Sequence, residues 1–502
     1  MGTLAHRTEF AMPNDPTLER LANATLLVPF ESHHAPRWVL EGLADGIAGV
    51  CLFHNNLDGP EQVTALNARL AEAADTPLIS LDEEGGDVTR IGQAHGSDYP
   101  GNAALGAVDD PDLTRATHRS LGGRLAQLGF NFDLAPSVDV NVADDNPVIG
   151  TRSFGSDPEL VARHGAAAVL GLQEAGLAAC AKHFPGHGAT SQDSHHVLPR
   201  VDADADLLHR RELLPFRSAI DAGVQAVLTA HIEVPALGGR GPATLTPNVV
   251  TRLLREELGF TGTVVSDAME MRGVSERIGV PEACVRAVAA GCDLLCLGRF
   301  VYADEIAAVR AALVAAVHEG RLPGERLEEA AEHTLRLRAW IRDSAAHRAA
   351  SPETDGIGLS GARRAIRVEG DLPTLSDPYV VEVDAPPGMA VGEVPWGLGP
   401  WFPGTERVSP DPAHAERLLA EARDRDLVVV VRDAHRYPEA RELVTCLLSA
   451  RPTAVVVEMG LPIWRPDHGT HVRTYGAAHV NGLSAAELLG ASGVVGAASG
   501  GA

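Results

Sequence analysis

One short segment of the chain concentrates side chains that can move protons or bind metals. Residues 182–199 read KHFPGHGATSQDSHHVLP and contain four histidines and one aspartate. Imidazole titrates near neutral pH and is also the commonest metal ligand among protein side chains. The segment is therefore a candidate metal site, a candidate acid/base site or a polar surface turn.

The spacing within this segment favours acid/base chemistry. A catalytic zinc site needs three protein ligands in a compact arrangement on rigid elements, whereas His187 lies in an irregular run with two glycines and a proline. Asp193 and His195 are two residues apart, so an extended backbone places both on one side. There the carboxylate can orient the imidazole and raise its basicity. His196 then points away and is expected to be solvated, and we expect neither a metal nor another cofactor.

Composition limits the classes of partner. The chain has 502 residues, of which 45% are hydrophobic and 22% charged, which is typical of a globular protein with room for two domains. A formal net charge of -25 argues against a nucleic-acid partner. No apolar run approaches the roughly 18 residues that suggest a membrane span, and the opening residues lack a signal-peptide pattern. We therefore expect a cytoplasmic protein with no membrane partner, and the charge leaves a neutral small ligand open.

The cysteines are scattered through apolar segments, which favours buried free thiols over disulfides or metal ligands. They are Cys51, Cys180, Cys284, Cys292, Cys296 and Cys446.

Short apolar runs in the first 300 residues predict the elements that must position the reactive side chains. Amphipathic stretches long enough for helices separate these runs, a pattern typical of a (β/α)8 barrel. An open doubly wound sheet is the main alternative from the pattern alone. The eight predicted strands are 24–30, 49–53, 77–82, 130–136, 179–184, 225–232, 262–268 and 292–298.

The remaining residues predict a second, smaller domain. We expect a TIM-barrel domain over residues 1–345, whose last helix is 324–343, and a small polar linker over 346–364. Residues 365–502 contain further strands, RAIRVEG, PYVVEVDA, DLVVVVRDA and TAVVVEMG, with helical stretches among them. This arrangement predicts an α/β sandwich. The Gly- and Ala-rich tail 491–502 is expected to fray, and no internal repeat is found.

Polar residues follow four of the predicted barrel strands, where the loops of such a barrel converge on one mouth. Taken singly, each has an ordinary explanation: a helix N-cap for an aspartate, a solvated lysine, a core histidine or a surface ion pair for an arginine. Their convergence on one rim instead predicts a binding site. They are Asp82 and Arg90 after the third strand, Lys182 and His183 at the fifth, His231 at the sixth and Asp267 at the seventh.

Four motifs in order resemble glycoside hydrolase family 3, specifically the two-domain form of its β-N-acetylglucosaminidase branch. The motifs are KHFPGHGATSQDSH, DEEGGDVTR, NPVIGTRSFGSD and VVSDAMEM. The resemblance covers residues 20 to about 340, and the second domain looks like the family's α/β sandwich without a comparably sharp motif. Glu83 and Asp87 make DEEGGD more acidic than the usual form, and we expect them on the rim outside the first sugar.

The resemblance implies roles for individual residues. Asp267 matches the family's nucleophile, and His195 with Asp193 matches the acid/base dyad of this branch. Other family members take the acid from a glutamate of the second domain. The residues expected to bind the sugar are Asp82, Arg90, Arg152, Lys182 and His183, with His231 beside them.

These roles imply a retaining, exo-acting β-N-acetylglucosaminidase that forms a covalent glycosyl-aspartate on small chitin- or cell-wall-derived glycosides. A phosphorylase is the alternative, because a neutral imidazole does not repel a phosphate acceptor as a carboxylate base would. A non-catalytic sugar-binding barrel is a weaker alternative, since binding alone requires neither Asp267 nor the Asp193–His195 pair. The natural glycoside, the oligomeric state and the part played by the second domain do not follow from the sequence.

Overall fold

The computed structural model describes residues 15–238, 240–350, 354, 356–386, 388 and 390–491. Its first domain is an eight-stranded parallel sheet in the order β7-β6-β5-β4-β3-β2-β1-β8. A bridge between Val265 and Leu294 joins the two ends, so the predicted (β/α)8 barrel is confirmed. The strands are β1 Leu26–Val28, β2 Gly49–Cys51, β3 Leu78–Leu81, β4 Phe132–Asp133, β5 Ala178–Phe184, β6 Ala226–Thr229, β7 Thr263–Ser266 and β8 Leu295–Cys296.

Every residue of these eight strands is buried. Leu27, Leu78, Phe132 and Leu228 pack together inside the barrel, while the outer face lies under helices. Burial on both faces explains why the strands appear in the sequence as continuous apolar runs and not as alternating patterns.

Helices cover the outer face of the barrel. Several begin at an Asp-Pro pair: Asp110 accepts the Leu113 N–H ahead of α5, and Asp157 accepts the Glu159 N–H ahead of α6. A π-helix, Asn248–Glu257, stands between β6 and β7. The α-helices are α1 Pro16–Asn23, α2 Arg37–Ala44, α3 Pro60–Ala71, α4 Asn102–Val108, α5 Pro111–Gln127, α6 Pro158–Glu174, α7 Ala205–Arg210, α8 Leu213–Asp221, α9 Arg272–Ser275, α10 Val280–Ala290, α11 Ala303–His318 and α12 Gly324–Asp343.

The segment predicted as a linker contains two helices, α13 Ala345–Ala350 and α14 Ile357–Ala365. Helix α14 packs against α4 and α5 of the barrel and against a helix of the second domain. A Cβ on Gly358 would come within 2.0 Å of the Asp98 carbonyl oxygen. The small residues that suggested flexibility therefore permit close helix packing.

The second domain is a six-stranded mixed sheet, in the order β11-β10-β12-β13-β14-β9. Only β9 runs antiparallel to its neighbour, and helices on the two faces complete the predicted α/β sandwich. Two of its strands, β11 and β14, were not predicted. The strands are β9 Arg367–Glu369, β10 Pro378–Val383, β11 Glu406–Val408, β12 Asp426–Val431, β13 Val455–Glu458 and β14 Thr470–Arg473, and the helices are α15 Ala415–Ala422, α16 Pro438–Ala450 and α17 His479–Leu488.

The structure also tests the predictions for the cysteines and for membrane-spanning segments. All six cysteines are free, and five are buried as predicted. Cys446 is exposed, because it lies on the solvent-facing side of α16. No helix in the described part of the chain is long and apolar enough to cross a membrane. The tail predicted to fray lies, beyond Ala491, outside the described residues.

Candidate active site

A cavity of about 570 Å³ opens at the carboxyl ends of the barrel strands. Loops after β2, β3, β4, β5, β7 and β8 line it, together with Gly388 and residues 390–393 of the second domain. Among the sequence-predicted site residues, only Asp193 and His231 are not part of its lining. Those that line it are Asp82, Arg90, Arg152, Lys182, His183, His195 and Asp267.

Asp267 follows β7 directly, and its side chain faces the cavity. Its Oδ1 accepts the Ala268 N–H at 2.8 Å. Although burial opposes ionisation, the nearby imidazoles of His231 and His183 lower the pKa of Asp267 below its ordinary value. The carboxylate is therefore charged at neutral pH, the form that a nucleophile requires.

His195 and Asp193 form the orienting pair that their spacing predicts. Asp193 Oδ1 lies 2.6 Å from His195 Nδ1 and accepts the His195 backbone N–H at 2.9 Å. Burial disfavours the charged ring, but the hydrogen bond and charge of Asp193 outweigh it and raise the pKa of His195. The His195 ring can therefore hold a proton beside the same cavity that Asp267 lines.

His187 fixes the loop that carries this pair. Its Nδ1 lies 2.9 Å from Thr190 Oγ1, and its Nε2 lies 3.1 Å from Ser194 Oγ. Burial lowers the pKa of His187 to about 4, so the ring is neutral. Among the described residues, no group of three or more His, Cys, Asp or Glu side chains is arranged to hold a metal ion. The histidines of segment 182–199 thus have separate functions, and His196 is exposed.

A buried network of charges forms another wall of the cavity. Lys182 Nζ lies 2.7 Å from Asp82 Oδ1 and 2.8 Å from Glu84 Oε1. Arg152 donates to the same Glu84 from two of its nitrogens, from NH2 to Oε1 at 2.7 Å and from Nε to Oε2 at 3.0 Å. Burial of Glu84 opposes its ionisation, but the Arg152 and Lys182 charges lower its pKa below the ordinary range. The network presents donors and acceptors in fixed positions, as recognition of sugar hydroxyls requires.

The ring of His183 is held from both sides. Arg152 NH2 donates to His183 Nε2 at 3.0 Å, and because a guanidinium cannot accept, the ring proton must be on Nδ1. His183 Nδ1 donates in turn to Asp139 Oδ2 at 2.6 Å. Asp139 is fully buried, yet its interaction with the His183 ring and the hydrogen bond from the His187 backbone N–H lower its pKa to about 2. Asp139 therefore sets the tautomer of His183.

Lys182 and His183 both line the cavity although they are consecutive in β5. Consecutive side chains of a regular strand point to opposite faces. The pairing of β5 with β6 changes register between Lys182 and Phe184. This irregularity brings both side chains to the mouth of the barrel.

His231, expected among the sugar-binding residues, has no exposed surface and does not line the cavity. Its Nε2 donates to the Ala268 carbonyl oxygen at 3.0 Å, and its Nδ1 lies 2.9 Å from Thr244 Oγ1. Burial lowers the pKa of His231. The ring lies behind Asp267 and supports the turn that carries it.

Glu83 and Asp87, expected on the outer rim, are both buried. Glu83 Oε2 accepts the backbone N–H groups of Arg90 and Ile91 at 2.7 and 3.1 Å. Asp87 Oδ2 lies 3.1 Å from NH2 of Arg432 in the second domain. The rim expectation is wrong because each carboxyl finds its partners inward, in its own loop and in the other domain.

The second domain closes one side of the mouth. Arg90 NH2 donates to the Ala390 carbonyl oxygen at 3.2 Å, and Gln93 Nε2 donates to that of Glu393 at 2.5 Å. Arg90, expected only to bind sugar, therefore also holds the loop that covers the cavity.

Comparison with known proteins agrees with this geometry. The model of the glycosyl hydrolase family 3 N terminal domain matches residues 26–337, which include every predicted site residue. The chain belongs to glycosyl hydrolase family 3.

Three similar proteins are named as hexosaminidases or N-acetylglucosaminidases. Beta-hexosaminidase A of Pseudoalteromonas piscicida is 34% identical over 377 residues, which are 68% of this chain and 62%, less than two thirds, of that protein. Beta-hexosaminidase LpqI of Mycobacterium tuberculosis is 37% identical over 297 residues, or 56% of this chain and 74% of that protein. A solved family 3 beta-N-acetylglucosaminidase from Paenibacillus sp. str. FPU-7 is 34% identical, with a TM-score of 0.83 over 94% of this chain and 96% of that one. The two-domain architecture is therefore shared.

Several residues of this family 3 site are not found by reasoning from the sequence. Glu84 lies two residues after the predicted Asp82, and its position in DEEGG is the one signal that could have drawn attention to it. Asp139 lies six residues beyond the end of β4 and outside the four motifs, so it has no such signal. Ala390 and Glu393 belong to the other domain, so only the folded chain brings them to the barrel mouth.

Proposed function

We propose that this chain is a retaining, exo-acting β-N-acetylglucosaminidase that removes terminal N-acetylglucosamine from small glycosides. One observation carries the proposal: an ionised carboxylate, Asp267, and a proton-holding imidazole, His195, border a single cavity. A retaining glycosidase needs these two functions on either side of the bond that it cleaves.

In the first step, a carboxylate oxygen of Asp267 attacks the anomeric carbon. His195, as imidazolium, gives its proton to the glycosidic oxygen while the bond from that oxygen to the anomeric carbon breaks. Asp193 stabilises the charged ring until the proton leaves. The products are a glycosyl-aspartate and a free leaving group.

In the second step, neutral His195 takes a proton from water as the water oxygen attacks the anomeric carbon. The bond to Asp267 breaks, and the carboxylate and the imidazolium are both regenerated. An imidazole with a pKa near working pH serves as acid and then as base.

The charged network supplies the sugar contacts in this proposal. Asp82, Lys182 and Arg152 are held by one another or by Glu84, so they meet the sugar hydroxyls without reorganising. The 2-acetamido preference is supported by the names of the relatives, which are hexosaminidases.

Phosphate is a second candidate for the acceptor. The base is an imidazole, which is uncharged in the second step and does not repel an anion, and the guanidinium groups of Arg90 and Arg299 both line the cavity. Attack by phosphate oxygen in place of water would release a sugar 1-phosphate.

The first prediction concerns turnover of an aryl N-acetyl-β-D-glucosaminide. Asp267→Ala is expected to lower kcat by about 10³-fold or more, because no nucleophile remains. His195→Ala is expected to lower it by about 10²- to 10⁴-fold, the usual contribution of general acid–base catalysis. The exposed neighbour changed in His196→Ala is the matched control and should retain wild-type kcat.

The same assay distinguishes the alternatives. Azide added to Asp267→Ala should yield the α-glycosyl azide, since the azide takes the nucleophile's side. Sugar 1-phosphate that increases with added phosphate would identify a phosphorylase. Full hydrolysis by Asp267→Ala would refute the assignment of the nucleophile, and no turnover by the wild type would refute the function.

A further inference from the structure

The two domains enclose a second, smaller cavity behind one wall of the catalytic cavity. Its volume is about 50 Å³. A water needs roughly 10–15 Å³ of such space, so this cavity has room for about four waters or for one small oxyanion, but not for a sugar ring. We name it the interdomain cleft, and its lining consists of 146–152, Ala385, Pro386, Gly388, Val391, Arg432, Asp433, 435–437 and Leu461.

The interdomain cleft lies at the topological switch point of the second domain's sheet. From β10 the chain passes to β11 on one side and then to β12 on the other side of β10, so the strand order reverses there. The loop after β10 leads to the face of the sheet where Leu398 packs, and the loop after β12 leads to α16 on the opposite face. In open parallel sheets, ligands bind outside the carboxyl ends of the strands at such a point. Both loops line the cleft.

Two arginines of the loop after β12 give the cleft its hydrogen-bond donors. The Arg432 side chain is 11% exposed, and its NH2 lies 3.1 Å from Asp87. The Arg436 guanidinium lies 5.7 Å from the centroid of the Tyr437 ring and, within the described part of the chain, forms no ion pair. A guanidinium carries five N–H donors, so both arginines have donors left for a ligand.

The carboxyl groups of the second domain at the cleft are held by other donors. Asp433 lines the cleft, but its Oδ1 accepts the Leu461 N–H at 2.8 Å. Glu458 is buried beneath the same loop and accepts three backbone N–H groups at 2.7–3.1 Å. Burial raises the pKa of Glu458 to about 8, so this group is mostly uncharged at neutral pH. The charge of Arg436 is therefore available to a ligand.

One wall of the cleft is also a wall of the catalytic cavity. Val148, Arg152, Gly388 and Val391 line both. Arg152 NH1 donates to the Val148 carbonyl oxygen at 3.0 Å, so the guanidinium and its own loop are fixed together. A ligand in the cleft therefore contacts the loop that positions Arg152.

We propose that the interdomain cleft binds a small oxyanion of the phosphate class, which holds the second domain against the barrel. Arg432 and Arg436 donate to the anion from one side, and the barrel loop 146–152 encloses it from the other. Guanidinium groups match the geometry of phosphate oxygens through paired, charge-assisted hydrogen bonds. The site is separate from the catalytic cavity, and the proposal does not depend on the proposed function.

The second prediction is that inorganic phosphate binds in the cleft and stabilises the docked second domain. At about ten times its Kd, phosphate should raise the Tm of that domain by about 3–6 °C over sodium chloride of equal ionic strength, because only the docked form binds it. Arg436→Met should weaken binding by about tenfold or more and abolish the rise. Arg436→Lys, which keeps the charge, should retain part of the affinity. Isothermal titration measures the Kd, and scanning calorimetry measures the Tm.

Arg451→Met is the matched control, since it removes a guanidinium from the other end of α16, outside the cleft. It should keep the wild-type Kd and the rise in Tm. Equal phosphate affinity in Arg436→Met and the wild type, or the same loss of affinity in Arg451→Met, would overturn the site.

A further variant distinguishes the cleft from the catalytic cavity, where phosphate is a candidate acceptor. Arg299 lines the catalytic cavity and not the cleft, so Arg299→Met should keep the phosphate Kd. Loss of binding in Arg299→Met but not in Arg436→Met would place the phosphate beside the nucleophile and overturn the proposal. No turnover is needed for either measurement.

Glycerol 3-phosphate distinguishes two sources of the anion. Binding that equals that of inorganic phosphate, and that Arg436→Met weakens equally, would assign the cleft to the phosphate group of a larger molecule. Binding of inorganic phosphate alone would assign it to the free ion. Binding of neither compound to the wild type would overturn the proposal.

Discussion

The proton on His195 depends on a carboxylate two residues away. Because Asp193 stabilises the imidazolium, Asp193→Asn should lower the pKa of His195. The acid form needed for the first step is then lost at a lower pH, so the alkaline limb of the kcat/KM profile should move downward. A fall in kcat of about 10²- to 10⁴-fold should accompany it.

A pH–rate series with the aryl glycoside measures this third prediction. Asp202→Asn removes an exposed carboxylate of the same loop region and is the control. Its kcat/KM profile should have the same alkaline limb as that of the wild type. An unchanged alkaline limb in Asp193→Asn would show that another group supplies the proton.

Among individual site residues, the sequence predicts those whose position is set by the barrel strands. Asp82 and Asp267 follow strands directly and Lys182 lies two residues before the end of β5, and the fold brings strand ends together. His231 also follows a strand, yet its ring turns behind Asp267 because Thr244 and the Ala268 carbonyl offer buried partners. Side-chain direction of this kind depends on contacts distant in sequence.

Glu83 is a buried carboxyl group that holds the loop between β3 and α4 and keeps its proton at a higher pH than an exposed glutamate does. Glu83 is fully buried, one of its oxygens accepts two backbone N–H groups, and its own N–H donates to Asp133 at 3.1 Å. Burial, opposed in part by hydrogen bonds, raises the pKa of Glu83 from 4.5 to about 7. The structure therefore favours the neutral acid in this loop.

The fourth prediction follows from the sign of this shift. Between about pH 4.5 and 7 the unfolded chain has released the Glu83 proton while the folded chain retains it, so the free energy of unfolding falls as pH rises. Glu83→Gln keeps the hydrogen bonds without the proton. Between pH 4.5 and 8 the free energy of unfolding of Glu83→Gln should rise relative to that of the wild type, by about 3 kcal/mol at most.

Thermal unfolding at several pH values measures the difference. Glu61→Gln, at an exposed position of α3, should leave the pH dependence as it is. Parallel Tm curves for Glu83→Gln and the wild type would show that folding does not shift the pKa of Glu83.

At the scale of elements, the sequence predicts the strands that are buried on both faces. It does not predict the elements whose formation depends on packing against distant parts of the chain. All eight barrel strands are apolar runs, because both of their faces are covered. Strands β11 and β14 contain Glu406, Arg407 and His471, which interrupt the pattern, although the latter strand is mostly buried in the sheet. The sequence predicts a linker where helix α14 lies, since small residues that allow close approach resemble those of flexible segments.

The two domains are joined by a buried ion pair next to the active site. Asp87 accepts the Ala477 N–H at 2.8 Å and the Thr151 hydroxyl at 2.6 Å, and it lies 3.1 Å from Arg432. Thr151 directly precedes Arg152 of the sugar-binding network. Domain docking and the position of Arg152 therefore share the Asp87 carboxylate.

The fifth prediction is that Arg432→Met loosens the second domain. The variant leaves the Asp87 carboxylate buried without its guanidinium, and removing one partner of a buried pair costs about 3–5 kcal/mol. We expect calorimetry to show the second domain unfolding before the barrel, and kcat/KM to fall because Arg152 loses its support. The control Arg465→Met removes an exposed pair with Glu369 and should cost at most about 1 kcal/mol. Adding Asp87→Asn should restore part of the loss, since the pair is coupled. If Arg432→Met unfolds like this control, the domains are held together by other contacts.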